Sequence, residues 1–230
     1  MSQYKPFVLR LELGSSVILG HRLTLDGLLA SLIFDRTQSV QEAHEAIPLA
    51  RHAGVWAGSA ALMEGPAPIR QVSIIQALKA RIDLTPDMVA PGKRGYPRIE
   101  EARGRYRNKM TNYAAYDATA LWFAGFGDID RVKELVEHVP AVGAKRTSGH
   151  GKVIGVDIDD GESEDAGFVY TDGTPARPIP EEIWNERGRR KADMALEAWR
   201  APYWSGERVL CALPAHSVVT RGEAKRLVGA

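Results

Sequence analysis

Gly125-Phe126-Gly127-Asp128-Ile129-Asp130-Arg131-Val132-Lys133-Glu134-Leu135-Val136, followed shortly by Val142-Gly143-Ala144-Lys145-Arg146-Thr147-Ser148-Gly149-His150-Gly151-Lys152-Val153, decides how this chain is read. In the first stretch Ile129, Val132, Leu135 and Val136 fall on one helical face. Asp128 stands where a short acidic side chain can cap the first free amides of that helix. In the second stretch Gly143, Gly149 and Gly151 permit a left-handed backbone and close approach to a ligand. Lys145, Arg146 and Lys152 add positive charge, and Thr147 and Ser148 add hydroxyl donors. A phosphate suits such a loop. The apolar residues of Ala118 to Gly125 predict a strand before the helix, and Val153, Ile154 and Val156 predict another over Lys152 to Asp157.

The order strand, helix, loop, strand separates this loop from other phosphate motifs. A P-loop has a strand before it, a helix after it and a Gly-Lys-Ser/Thr ending, none of which fits here, and the dinucleotide fingerprint fails on the same order. Arg146-Thr147-Ser148-Gly149-His150-Gly151 matches the Arg-x-x-Gly-x-Gly with which acyltransferases hold coenzyme A, but a helix should then follow. That reading ranks third. The plain alternative is a connection whose charges meet only water.

Outward from the loop, Phe7 to Leu13 predicts a first strand, although its alternation is imperfect. Thr24 to Asp35 predicts a core-facing helix through Leu25, Leu28, Leu29, Leu32 and Ile33, with Thr24 as its cap. Val40 to Arg51 is a second helical candidate. Val55 to Leu62 is read as a strand paired in a hairpin with Ile69 to Leu78. From Pro91 to Lys109, Lys93, Arg94, Arg98, Arg103, Arg105, Arg107 and Lys109 are opposed by Glu100 and Glu101 alone, with Tyr96 and Tyr106 interleaved. Basic side chains with aromatics between them suit single-stranded RNA, although a charge run can also simply face water. Asp157 to Asp165 predicts a solvated acidic turn, Glu181 to Ala198 a charged helix, and Arg208 to Leu213 a strand. The sequence divides into residues 1–83 and 118–158 as two parts of one core, 84–117 as a projecting insertion, and 159–230 as a C-terminal elaboration. The element order fits an α+β, ferredoxin-like arrangement: an antiparallel sheet with helices on one face.

The totals allow a substantial core: 230 residues, 44% hydrophobic. Thirty Lys plus Arg against 29 Asp plus Glu leave a net charge of +1, so any anion site depends on local clustering rather than bulk attraction. The single cysteine, Cys211, sits in an apolar stretch, which excludes an internal disulfide and a cysteine-rich zinc site and predicts a buried thiol. The start of the chain lacks an apolar signal region and no stretch is long enough for a membrane span, which predicts a cytoplasmic protein. His44 and His52 lack a metal-binding context, and the acidic run around Gly161 lacks calcium-loop spacing; no metal or cofactor is expected.

Together, Gly125 to Val132 and Val142 to Val153 resemble the helix and glycine-rich loop of the RAMP superfamily of CRISPR proteins. More narrowly they resemble the type IV subunit that caps the five-prime handle of the guide RNA. Weaker matches lie in Leu19 to Leu29, Val55 to Ala60, Arg177 to Pro180 and Ala201 to Trp204, over most of the chain. Ala144 departs from the pattern, which expects a basic residue there. The resemblance implies a ferredoxin-like (RAMP/RRM-like) core with a basic insertion, and a non-catalytic subunit of an antiviral ribonucleoprotein complex. It implies as partners the CRISPR RNA, backbone RAMP subunits, a large subunit and target DNA. It also brings His21 and Arg22 toward the loop. The expected RNA contacts are then Gly143, Lys145, Arg146, Thr147, Ser148, Gly149, His150, Gly151, Lys152, His21 and Arg22, with Lys93, Arg94, Tyr96, Arg98, Arg103, Arg105 and Arg107 of the insertion. Because some RAMP proteins cut RNA without metal, His21 and His150 are also candidate general bases, and an endoribonuclease remains the first alternative.

Overall fold

The computed structural model describes residues 4–20, 22–76, 107–188, 191–203 and 208–230. Its strands are β1 (Lys5–Leu13), β2 (Val17–Ile18), β3 (Arg51–His52), β4 (Val55–Trp56), β5 (Leu62–Glu64), β6 (Ile69–Gln76), β7 (Lys109–Tyr116), β8 (Ala120–Gly127), β9 (Val153–Asp160), β10 (Ile179–Pro180), β11 (Asp193–Ala198), β12 (Arg208–Leu213) and β13 (Val218–Val219). Its helices are α1 (Leu25–Thr37), α2 (Val40–Glu45), α3 (Ile129–Val136), α4 (Glu181–Glu186) and α5 (Arg221–Val228). The chain divides into two compact units, residues 1–69 with 116–230, and residues 70–115.

The first unit is built on a five-stranded sheet in the order β13-β5-β8-β1-β9. β1 runs antiparallel to β8 and β9, and β5 antiparallel to β8, while short β13 lies parallel to β5. Two β-α-β units therefore interleave: β8 lies between β1 and β5, which α1 connects, and β1 lies between β8 and β9, which α3 connects. Both faces of the sheet are covered. Phe7, Leu9 and Leu11 pack with Leu121 and Phe123 under the apolar sides of α1 and α3. On the other face Val8, Leu62, Trp122 and Ala124 pack against Ala166, Tyr170 and Leu227. Burial on two faces explains why β1 shows imperfect alternation and why β8 carries no charged residue.

One ion pair is built into the sheet. Arg10 Nε meets Glu64 Oε2 at 3.4 Å, and both residues are buried. Trp122 Nε1 donates to the same oxygen at 2.7 Å and Thr119 Oγ1 to Oε1 at 3.1 Å. Burial opposes the Glu64 charge, but these donors and the Arg10 guanidinium outweigh it and hold the carboxyl below its ordinary range.

α3 forms as its sequence predicts. Ile129, Val132, Leu135 and Val136 are buried, and the Asp128 side chain accepts from the Arg131 amide at 3.1 Å. A cap of this kind contributes about 1 kcal/mol. α1 also forms, but Thr24 does not cap it through its side chain; its hydroxyl donates to Tyr203 Oη at 2.8 Å. α2 stops at Glu45, short of the helix predicted to Arg51.

Three other expectations change. Ile69–Gln76 does not form a hairpin with residues 55–62; it pairs with β7 in the second unit, where Ser73 Oγ donates to Asn112 Oδ1 at 2.8 Å. The small residues of 57–60 instead thread the interior, with Ala60 N donating to Ala176 O and Ser59 N to Ala124 O. Asp157 to Asp160 belong to β9 rather than to a turn. The sheet edge leaves these acids at the surface, where Arg10 and Lys5 reach Asp157 and Asp160 at 3.2 and 2.7 Å. The helix predicted over 181–198 ends at Glu186. Gly188 takes a left-handed φ of 85°, and Asp193–Ala198 pairs along β12, which satisfies its backbone as a strand.

Candidate nucleic-acid interface

The glycine-rich loop leaves α3 and returns into β9 over a short ladder, with Val142 N donating to Gly151 O at 2.8 Å and Val153 N to Pro140 O at 3.0 Å. Between these rungs the chain makes a 3-10 turn at Arg146–Ser148, entered through Lys145 at φ 59° and left through Gly149 at φ 86°. Gly143 and Gly151 also have positive φ, 81° and 67°. A side chain at Gly143 would lie 2.6 Å from Ile18 O, and one at Gly151 would strike Val142 O. These two glycines thus serve close packing as well as backbone sign.

A turn of residues 14–18 braces the loop. Ile18 O accepts from Ala144 N, Ser16 O from Gly151 N, and Lys152 O from Gly14 N, each at 2.8 Å, and Ser15 Oγ accepts from Lys152 N at 2.9 Å. Ala144 sits where its backbone is tied to β2, so its lack of charge costs the turn nothing in shape. Because the amides of Ala144, Ser148, Gly149, Gly151 and Lys152 are engaged within the protein, side chains rather than an open row of amides face a ligand. Arg146, Thr147, Ser148 and Lys152 are exposed, and Lys145 and His150 half-buried. His150 Nδ1 lies 3.2 Å from Ser16 Oγ, which fixes the ring against the brace.

Arg146 also reaches the wall of a cavity of about 320 Å³ between α1 and α2, lined by Ser31, Phe34, His44 and Tyr203. Beneath it lies a polar center that residue spacing did not reveal. Arg177 and Asp26 are both fully buried, paired through NH1–Oδ1 at 3.1 Å and NH2–Oδ2 at 3.3 Å. Arg177 also donates to the carbonyls of Trp56, Gly58 and Trp199 at 2.7, 3.1 and 2.8 Å, and to Tyr203 Oη at 2.8 Å. Tyr203 Oη donates to Asp26 in turn. Burial works against the Arg177 charge, but Asp26 and Tyr203 outweigh it and raise its pKa, while burial pushes the Tyr203 phenol upward. The four weakly matching stretches of the sequence thus converge on one guanidinium. An aspartate among the leucines of α1 and an arginine between alanine and proline were the visible signals.

Of the other expected contacts, Arg22 is exposed and lines a small cleft with Pro178, Glu197 and Arg208. Arg107 is exposed just before β7. His21, Lys93, Arg94, Tyr96, Arg98, Arg103 and Arg105 lie outside the described residues. Arg187, within the segment expected to form a charged helix, lies over the Phe168 ring at 4.3 Å and pairs with Asp165 at 2.7 Å. Cys211 is buried, and desolvation, with Glu197 adding to it, pushes its thiol up to about 11. Among the described residues no cluster of His, Cys, Asp or Glu could hold a metal ion, and no helix is long and apolar enough to cross a membrane.

The chain is thus a mixed α/β protein that carries a braced, basic glycine-rich turn. The family model for CRISPR type IV associated protein Csf3 matches residues 71–214, more than half the chain, and the protein belongs to that family. It is a type IV CRISPR-associated subunit. The matched region includes the glycine-rich loop, Arg177 and Tyr203, and it leaves Asp26 and the bracing turn outside. No curated protein matches the chain.

Proposed function

We propose that this subunit binds the five-prime, repeat-derived handle of CRISPR RNA and seats it in a type IV effector that targets DNA under RNA guidance, without making or breaking bonds itself. The observation that carries this reading is the turn from Lys145 to Lys152, which presents three cations, Lys145, Arg146 and Lys152, and two hydroxyls on a backbone that the 14–18 turn holds fixed. Preformed positive geometry suits a phosphate backbone because little ordering remains to be done on binding. The strand order β9-β1-β8-β5, antiparallel throughout with both connecting helices on one face, supports a ferredoxin-like core of the RAMP kind. Backbone RAMP subunits and a large subunit would be its partners, with target DNA reached through the assembled complex. The basic composition of residues 91–109 supports further RNA contacts from that segment.

Replacing Lys145 and Arg146 together with alanine tests the reading. Binding of handle RNA should weaken at least about tenfold, and the salt slope should fall by roughly 1.4, since each single-strand phosphate contact contributes about 0.7. Unchanged affinity throughout a salt titration would sink it. A parallel assay of precursor RNA with wild type and His150→Ala should show no cleavage; cutting that depends on His150 would make the protein an endoribonuclease.

A further inference from the structure

The cavity beside Arg146 does not end at α2. It adjoins a second cleft of about 430 Å³, and the two share His44 and Ala201 as a common wall. The second cleft is lined by Arg51, Trp56 and Arg200. Arg51 lies over the Trp56 ring at 5.1 Å, and Arg200 over the Trp199 ring at 4.7 Å. Both arginines are exposed, and among the described residues no carboxylate pairs with either. Acids are present in the two clefts as well: Asp35 lines the first and Glu45 the second, where Glu45 already accepts from Gln41 at 2.9 Å.

Resting on the RNA reading above, we infer that one strand held at Arg146 continues through both clefts, with a base entering the first and the backbone running on to Arg51 and Arg200 beside Trp56. Three features favor a single strand over a duplex. Each cleft is concave, each is lined by both cations and aromatic rings, and the first is largely apolar inside with Phe34 and Tyr203 in its wall. Unpaired bases stack on such rings, while guanidinium groups hold the phosphates between them. Arg51 comes from the β3–β4 hairpin and Arg200 from two residues past β11, 149 positions apart, so a cation lying over an aromatic ring arises twice, independently, with both cations lining one cleft. Glu45 and Asp35 would face base edges, where a carboxylate can accept from an amino group.

Arg51→Ala with Arg200→Ala is the test, because both side chains are exposed and circular dichroism should show the fold retained. The probe is a fluorescein-labelled single-stranded RNA of about 12 nucleotides, within the site size of single-strand-binding modules. Affinity should fall at least fivefold and the salt slope by about 1.4. Trp56→Phe should remove part of the tryptophan quenching that RNA causes in the wild type. If the double variant keeps wild-type affinity and slope while Lys145→Ala with Arg146→Ala loses them, the track is wrong and the loop reading survives. If duplex RNA competes as well as the single strand, the track is likewise wrong. If wild type binds no RNA and purifies without any, both readings fall.

Discussion

Asparagine in place of Asp26 keeps the shape of the side chain and removes the charge that sits under Arg177. In the native protein the pair is fully buried, and the two terminal nitrogens of Arg177 donate to the carboxylate, three carbonyls and one phenol. Removing one partner of a buried pair costs about 3–5 kcal/mol, because the remaining charge has no counter-ion and no water. Asparagine still accepts one hydrogen bond, so the loss should lie near the lower bound, about 3 kcal/mol. With a urea m-value of about 3 kcal/mol/M for a chain of this size, the unfolding midpoint should drop by about 1 M. Arg177→Met should be worse, near 5 kcal/mol, since it leaves Asp26 charged and also strands the carbonyls of Trp56, Gly58 and Trp199. Against a total stability of about 5–15 kcal/mol, that variant will be marginal at best. The double variant Asp26→Leu with Arg177→Met buries no charge and should be less destabilized than the two single effects added together. A midpoint shift below about 0.3 M for Asp26→Asn, or strict additivity in the double variant, would refute the reasoning that the two buried charges depend on each other.

Two other outcomes are expected. Glu64 titrates below its ordinary value of 4.5 in the folded chain, so the unfolded chain takes up that proton first as pH falls. Its stabilization is complete above that value and is lost as pH drops through the folded pKa; Glu64→Gln should flatten the acid limb of a stability-pH profile while lowering stability near neutrality. In the loop, Gly149→Ala meets nothing within 4 Å and bears only left-handed strain, about 1–2 kcal/mol, whereas Gly151→Ala also drives a methyl group onto the Val142 carbonyl. Thermal unfolding should therefore rank Gly151→Ala well below Gly149→Ala, and equal melting temperatures would contradict the packing role given to Gly151.

What the sequence by itself determined was local. The face of α3, its Asp128 cap, the positive-φ glycines and the burial of Cys211 depend on neighbors a few residues away, and each can be read from spacing and residue type. The tertiary structure decided everything that depended on distant partners. β6 found its partner across a long intervening segment instead of across the nearest turn, because residues 57–60 were needed inside the core. The strand at 193–198 looked helical until β12 supplied its hydrogen bonds. Asp26 and Arg177 lie 151 positions apart, and no periodicity links a charge to a partner at that distance; only the closing of the C-terminal segment over α1 brings them together in a place without water. The same closure placed Arg200 beside Arg51. The glycine-rich turn could be seen in the sequence, but what lies beside it could be seen only in the fold.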